Sequence, residues 1–192
     1  MPIDNVDTDQ IIPAQFLKLL SRKGLGRYLF YRWRYDEKGK RKDFVLDERR
    51  YRGASILLAG RNFGIGSSRE NAVWALTDFG IRAVLAPSFG DIFYGNAVKN
   101  YLVCIRLPER EIHTLQEKAA AGPIEVTVDL VRQEVTSGDG LRVEFDMEAH
   151  VRKKLIERLD DIDLALASDE QIREYESRRE GSLQRIDLGL PE

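Results

Sequence analysis

The chain has 192 residues, 43% hydrophobic and 32% charged, with a formal net charge of −2; its length fits one compact domain of the usual ~150-residue scale, and its apolar content excludes a chain too polar to fold. No run approaches the ~18 apolar residues of a membrane span, and Met1-Pro2-Ile3-Asp4 has no signal-peptide pattern. The one cysteine, Cys104, makes no internal disulfide and cannot by itself hold an iron–sulfur cluster, so the expectation is a soluble, cytoplasmic protein.

In chain order, the first third reads as irregular. Asp4-Asn5-Val6-Asp7-Thr8-Asp9 is rich in turn formers, and Phe16, Leu17, Leu19 and Leu20 mark one face of a short helix that stops near Gly24 or Gly26. Residues 27–52 interleave aromatic and basic side chains, with a turn at Glu37-Lys38-Gly39-Lys40; so long an excursion inside a compact domain is usually functional or mobile. From Arg22 to Arg52 there are twelve Lys/Arg against five Asp/Glu, whereas Glu144 to Glu192 has eight against fourteen. A basic block beside an acidic tail implies an anionic ligand or a charged partner surface, or simply a solvated loop.

The middle third alternates strand and helix. Ala54 to Ala59 is a buried strand, and the face Ala72, Ala75, Leu76, Phe79 marks a helix. Arg82 to Ala86 is a second strand, Pro87-Ser88 opens a helix running to about Val98, Tyr101 to Leu107 is a third strand, and Glu109 to Ala121 a third helix. Continuous apolar strands separated by helices imply a parallel sheet with helices packed on it, its strand-to-helix loops gathered at one edge. Beyond Gly122-Pro123 the period becomes two: Ile124 to Leu130, Val131 to Thr136 and Leu141 to Phe145 read as strands, with a hairpin loop at Ser137-Gly138-Asp139-Gly140. Helices then run from about Met147 to Leu159 and from about Asp169 to Arg179. The fold class is α/β, a small parallel sheet flanked by helices with an antiparallel β portion attached.

The densest chemistry lies in Gly60-Arg61-Asn62-Phe63-Gly64-Ile65-Gly66-Ser67-Ser68-Arg69-Glu70, between a strand and a helix. Its glycines permit tight turns or close approach. The following helix offers free N–H groups and a positive dipole end to an anion, and Arg69 matches a carboxylate in shape and charge. The run is neither a Walker P-loop nor a dinucleotide-binding glycine motif, which disfavours nucleotide phosphate and leaves a small carboxylate open. The bland reading is a capping box, with Ser67 capping the helix and Glu70 reaching back to the Ser67 amide, about 1 kcal/mol of helix stability without any ligand. Arg69 is then a surface ion pair of little energetic weight.

Asp7 and Asp9 have two readings: turn acids bonded to nearby backbone, or acids that hold a cation or orient a partner group. Arg27-Tyr28-Leu29-Phe30-Tyr31-Arg32-Trp33-Arg34-Tyr35 fits a base-stacking surface, a lid over a small substrate, or a protein interface. The slightly negative net charge argues against a dedicated nucleic-acid binder. His113 and His150 fall on helices and read as surface residues, and Cys104 reads as core.

Asn5-Val6-Asp7-Thr8-Asp9-Gln10-Ile11-Ile12-Pro13, Asn62-Phe63-Gly64-x-Gly66-Ser67-Ser68-Arg69-Glu70 and Ala86 to Asn96 together resemble the small-subunit family of 3-isopropylmalate dehydratases, the swivelling domain of aconitase-like hydro-lyases. Leu159-Asp160-Asp161-Ile162 and the acidic end also fit, so the resemblance covers essentially the whole chain, a single swivel-type domain over 1–192. It implies a mobile substrate-facing loop at about 22–52 and a helical tail at about 147–192. The resemblance implies that a large partner subunit carries a [4Fe–4S] cluster and that this chain binds no cofactor. By the same resemblance Ser67 is the catalytic base and Asp9 an active-site acid paired with a partner group, while Ser68, Arg69 and Arg22 bind the substrate's carboxylates. The implied reaction isomerises 2-isopropylmalate to 3-isopropylmalate through 2-isopropylmaleate in leucine biosynthesis, with the isolated chain inactive and with no nucleic acid or membrane involved. Three other readings remain: a paralogous hydro-lyase subunit for methyl- or dimethyl-substituted malate, a nucleic-acid-binding module, and a structural subunit without chemistry. Relative to the usual bacterial pattern, Ile65 replaces Cys, Asn71 replaces His, Val73 replaces Pro, and Tyr101 and Cys104 replace a common Gly and Pro; none is a proposed reacting group.

Overall fold

The computed structural model of the chain describes residues 1–17, 22–66, 69–159 and 173–177. Its first third is built of short turns. Helix α1 (Thr8–Ile11) and helix α2 (Tyr31–Arg34) are one turn each, with further 3-10 turns at Ala14–Phe16, Gly26–Tyr28, Val45–Asp47 and Arg49–Tyr51. The expected helix around 16–20 is represented by the Ala14–Phe16 turn; Leu19 and Leu20 lie outside the described residues.

Strands β1 (Ile56–Leu58), β2 (Ala83–Ala86) and β3 (Val103–Arg106) form a parallel sheet in chain order. Alternate residues of a strand point to opposite faces, and here both faces are covered. Leu57, Val84 and Cys104 are register partners on one face, packed with Ala72, Val73, Ala75 and Leu76 of α3 (Glu70–Phe79) and Phe93 and Ala97 of α4 (Asp91–Lys99). Leu58, Leu85 and Ile105 are partners on the other, packed with Ile112 and Leu115 of α5 (Glu109–Ala121). Two-sided burial is why these strands read as continuous apolar runs rather than as an alternation.

The second core is closed by an antiparallel sheet, β4 (Val126–Asp129), β5 (Glu134–Ser137) and β6 (Arg142–Glu144), and by α6 (Ala149–Glu157) with Val151 and Leu155. The expected strand start at Val131 is corrected: the Asp129 carboxylate accepts the N–H groups of Val131 (2.8 Å) and Arg132 (2.9 Å), and Gln133 has φ 56°, so 130–133 is a turn. Of the last expected helix, residues 173–177 are helical and the remainder lies outside the described residues.

Helix α4 also starts later than expected. Phe89 forms a parallel bridge with Phe63, and the Ser88 hydroxyl accepts the Asn62 N–H (2.8 Å) while donating to the Asn62 side chain (3.0 Å). Residues 87–90 therefore prolong the sheet toward the neighbouring loop, and the helix begins at Asp91. Helix α3 ends where Gly80, at φ 113°, donates to the Leu76 and Thr77 carbonyls, a left-handed stop that glycine makes at no steric cost.

The aromatic–basic segment is anchored. Leu25, Leu29 and Phe30 are fully buried in the first core. The Arg34 guanidinium, buried against the rings of Tyr35 and Phe79, forms a two-pronged pair with Asp47 at 2.8 and 2.7 Å and donates to the Leu29 carbonyl at 3.2 Å. Phe30 and Arg34 are therefore inside, while Arg27 and Arg32 of the same run are exposed.

Candidate active site at the carboxyl edge of the parallel sheet

Because the three strands run parallel, their following loops share one edge, and those loops bond to one another. Phe63 donates to the Ser88 carbonyl (3.1 Å), Gly90 donates to the Phe63 carbonyl (2.9 Å), and Arg61 pairs with Glu109 at the start of α5. The N-terminal segment lies against the same edge: Asn5 donates to the Arg61 carbonyl (2.8 Å), Gly64 to Val6 (2.7 Å) and Thr8 to Ile65 (3.0 Å), and Asp7 bridges Ile65. The Asn5 side chain accepts from Asn62 at 2.8 Å. Two motifs nearly sixty residues apart are thereby joined into one wall.

Close packing accounts for two glycines of the loop: a Cβ on Gly60 would collide with the Ile3 carbonyl oxygen, and Gly64 is the second. Gly64 has φ 78°, and a side chain there would land inside the buried Phe93 ring. Gly90 packs on the Gly64 carbonyl so tightly that a Cβ would stand 2.7 Å from its oxygen. Gly64 is thus required by the fold, without reference to a ligand.

The two acids of the N-terminal motif divide their tasks. Asp7 caps α1: its carboxylate accepts the Gln10 N–H (2.7 Å) while the Gln10 side chain accepts the Asp7 N–H (2.8 Å). This is a capping box, and the spacing Asp7-x-x-Gln10 is the signal that reveals it. Asp9, in the first turn of the same helix, accepts from Nη1 of Arg69. Within this chain Asp9 therefore pairs with Arg69, itself the N-cap of α3 and 18% exposed at its side chain. Among the described residues the Arg69 guanidinium bonds to Asp9 through Nη1 alone.

Ser67 and Ser68 lie outside the described residues. The expected capping box joins Glu70 to Ser67, whose end of it lies outside the described residues. The cap position is Arg69, which makes no side-chain cap bond, and the Glu70 carboxylate accepts from the Asn100 amide at 2.8 Å. Arg22 lies over the indole of Trp74, 4.9 Å from the ring centroid. It is therefore attached to α3, the helix that Arg69 caps. Trp74 and Asn100 drew no notice in the sequence, and Glu70 drew it only as a capping residue; the pairing of an exposed cation with an indole across 52 positions is what singles them out, and no local spacing encodes it.

The remaining candidates are structural. Cys104 is buried, and burial pushes its thiol up, away from thiolate chemistry. His113 and His150 are exposed beside Glu109 and Glu148. Among the described residues no group of three or more His, Cys, Asp or Glu could hold a metal ion, and no helix is long and apolar enough to cross a membrane.

Residues 1–110 match the model of the aconitase C-terminal domain, and residues 113–149 match that described as LeuD_N. The chain is 49% identical over 174 residues to the 3-isopropylmalate dehydratase small subunit of Oceanobacillus iheyensis, covering 90% of each. It is 50% identical over 191 residues to the small subunit of Methylibium petroleiphilum, covering 93% of this chain and 88% of that one. The crystal structure of 3-isopropylmalate dehydratase from Methanocaldococcus jannaschii superposes with a TM-score of 0.63 at 28% identity, over 90% of this chain and 93% of that one. Sequence, fold and the joined motifs agree: the chain belongs to the small-subunit family of 3-isopropylmalate dehydratases, on the aconitase C-terminal domain fold.

Proposed function

We propose that this chain, together with a large subunit, isomerises 2-isopropylmalate and 3-isopropylmalate by eliminating and re-adding water, in leucine biosynthesis in the cytoplasm. The observation that carries the reading is the Asp9–Arg69 pair, which brings the two motifs of the resemblance together beside the Ser67-Ser68 positions.

In the dehydration half, Ser67 takes the proton from the carbon next to a carboxylate. The hydroxyl group leaves the neighbouring carbon, and a carbon–carbon double bond forms. In the reverse half, water adds with the opposite orientation, and the serine returns a proton to the other carbon. A serine acts as a base only where its oxyanion is stabilised. The N-terminal end of α3 and the Arg69 cation are suited to that, and Arg69 and Ser68 hold the adjacent carboxylate. Asp9 fixes the Arg69 fork through one nitrogen and leaves its other donors for substrate, while Arg22 takes the second carboxylate.

The leaving hydroxyl requires an acid that this chain does not supply by any iron–sulfur group of its own. Such a cluster needs several thiolates, and Cys104 is one buried thiol. The residues here do not fit a cluster, and we assign it to the large subunit. The anchored segment 27–42 is assigned to the side of the site that reads the substrate's alkyl group.

The test is anaerobic reconstitution with the large subunit of the same source, following the unsaturated diacid by ultraviolet absorbance. Turnover of 3-isopropylmalate well above that of methyl- and dimethyl-substituted malates supports the reading. A preference for a smaller malate refutes the substrate assignment, and absence of any turnover by the loaded complex refutes the function.

A further inference from the structure

Arg22 is exposed on the turn before Gly24, and a long cation in such a place samples many rotamers. A carboxylate that must first immobilise it binds more weakly than one that meets it already oriented. Three features of α3 and α4 restrict it. Its guanidinium carbon lies 4.9 Å from the Trp74 ring centroid, within cation–π range. The indole cannot rotate freely, because its N–H donates to the Asn100 side-chain oxygen at 2.8 Å while the Asn100 amide donates to Glu70 (2.8 Å) and to the Asn96 carbonyl (2.9 Å). The backbone that carries Arg22 is held to the far end of the same helix, where Asp78 accepts from Gly24 (2.9 Å) and Gly26 (2.7 Å).

Helix α3 therefore carries two cations, Arg69 at its N-cap position, held by Asp9, and Arg22 through Trp74. Glu70, the residue after Arg69, is the acceptor that closes the Trp74–Asn100 chain of hydrogen bonds. We propose that Trp74 is a positioning residue for substrate binding: its indole face, locked by Asn100, pre-orients the Arg22 guanidinium toward a substrate carboxylate. The inference rests on the reading that Arg22 is a carboxylate clamp.

The experiment is a double-mutant cycle in the complex reconstituted anaerobically with the large subunit, with 3-isopropylmalate as substrate. Arg22→Ala should raise KM about ten-fold, as loss of a charge-assisted contact does. Trp74→Leu should raise KM about five-fold with kcat little changed, and Trp74→Phe, which keeps an aromatic face, about two-fold. In the Arg22→Ala background, Trp74→Leu should add less than about two-fold, because the two residues act as a unit. Asn100→Ala, which frees the indole without altering the helix face, should repeat the KM effect and its dependence on Arg22, and it serves where Trp74→Leu fails to assemble.

Equal KM factors for Trp74→Leu and Asn100→Ala with and without Arg22 would show a structural role only and overturn the proposal. An unchanged KM in Arg22→Ala would sink the clamp reading itself, and the proposal with it. In a Trp33→Phe background, which leaves Trp74 as the sole tryptophan, Arg22→Ala should shift the emission of the isolated chain; no shift refutes the contact independently of activity.

Discussion

Replacing Asp47 by asparagine removes one charge while keeping shape, and it tests how the aromatic–basic segment is held. The Arg34 side chain is 5% exposed and that of Asp47 16%, and the pair is bonded at two points, 2.7 and 2.8 Å. Leaving a buried charge without its partner costs about 3–5 kcal/mol. Arg34 keeps its bond to the Leu29 carbonyl and its ring contacts with Tyr35 and Phe79, so the lower end, about 3 kcal/mol, applies. In a chain of this size that is a fall of about 6–12 °C in Tm. The Arg34 hydrogen bond holds the Asp47 carboxyl below its ordinary range. Its stabilisation is therefore present above the unfolded carboxylate pKa, about 3.9, and is lost as pH falls through the lower folded value. Urea unfolding of wild type and Asp47→Asn across pH should show a gap at pH 7 that closes in acid, where both carry a neutral side chain. A gap below about 0.5 kcal/mol at pH 7, the size of an exposed pair, or one that persists undiminished in acid, refutes the clamp.

Two further outcomes follow from the same geometry. Gly64→Ala adds a methyl where φ is 78° and the Phe93 ring already sits, so it should destabilise by about 2 kcal/mol or more, read as a lower Tm of the isolated chain; a change within about 0.5 kcal/mol contradicts the packing. Asp139 pairs with Lys118 and the Ser137 hydroxyl, which bring its carboxyl down to about 2. Carboxyl NMR titration should find it there in the wild type and higher in Lys118→Ala, whereas identical midpoints would remove Lys118 as the cause.

The parallel sheet was the most legible part because its signal is local: strands buried on both faces are apolar throughout, and α5 occupies the expected range from Glu109 to Ala121. The start of α4 was not legible, since Ser88 and Phe89 are diverted by Asn62 and Phe63, residues that lie on another loop. The segment 27–52 read as surface from its charges. Arg34 is nevertheless inside, because Asp47, thirteen positions on, neutralises it. Tyr101, where the family pattern expected glycine, has φ 57°, the left-handed region that glycine takes at least cost, and nothing in the structure explains the tyrosine. Within the site, both Asp9 and Arg69 stood out as candidates, but their pairing is a tertiary contact between two loops. Trp74 carried no local mark at all.

The central claim is that this chain contributes the base to a reaction completed with a second subunit. It is tested most directly by turnover of the Ser67→Ala complex, anaerobically reconstituted, with assembly checked by size-exclusion chromatography. Loss of a general base predicts a fall in kcat of about 10³-fold, with the complex formed as in the wild type. Assembly intact and kcat within about three-fold of wild type, far less than a lost general base costs, would contradict the account and leave the chain a structural partner.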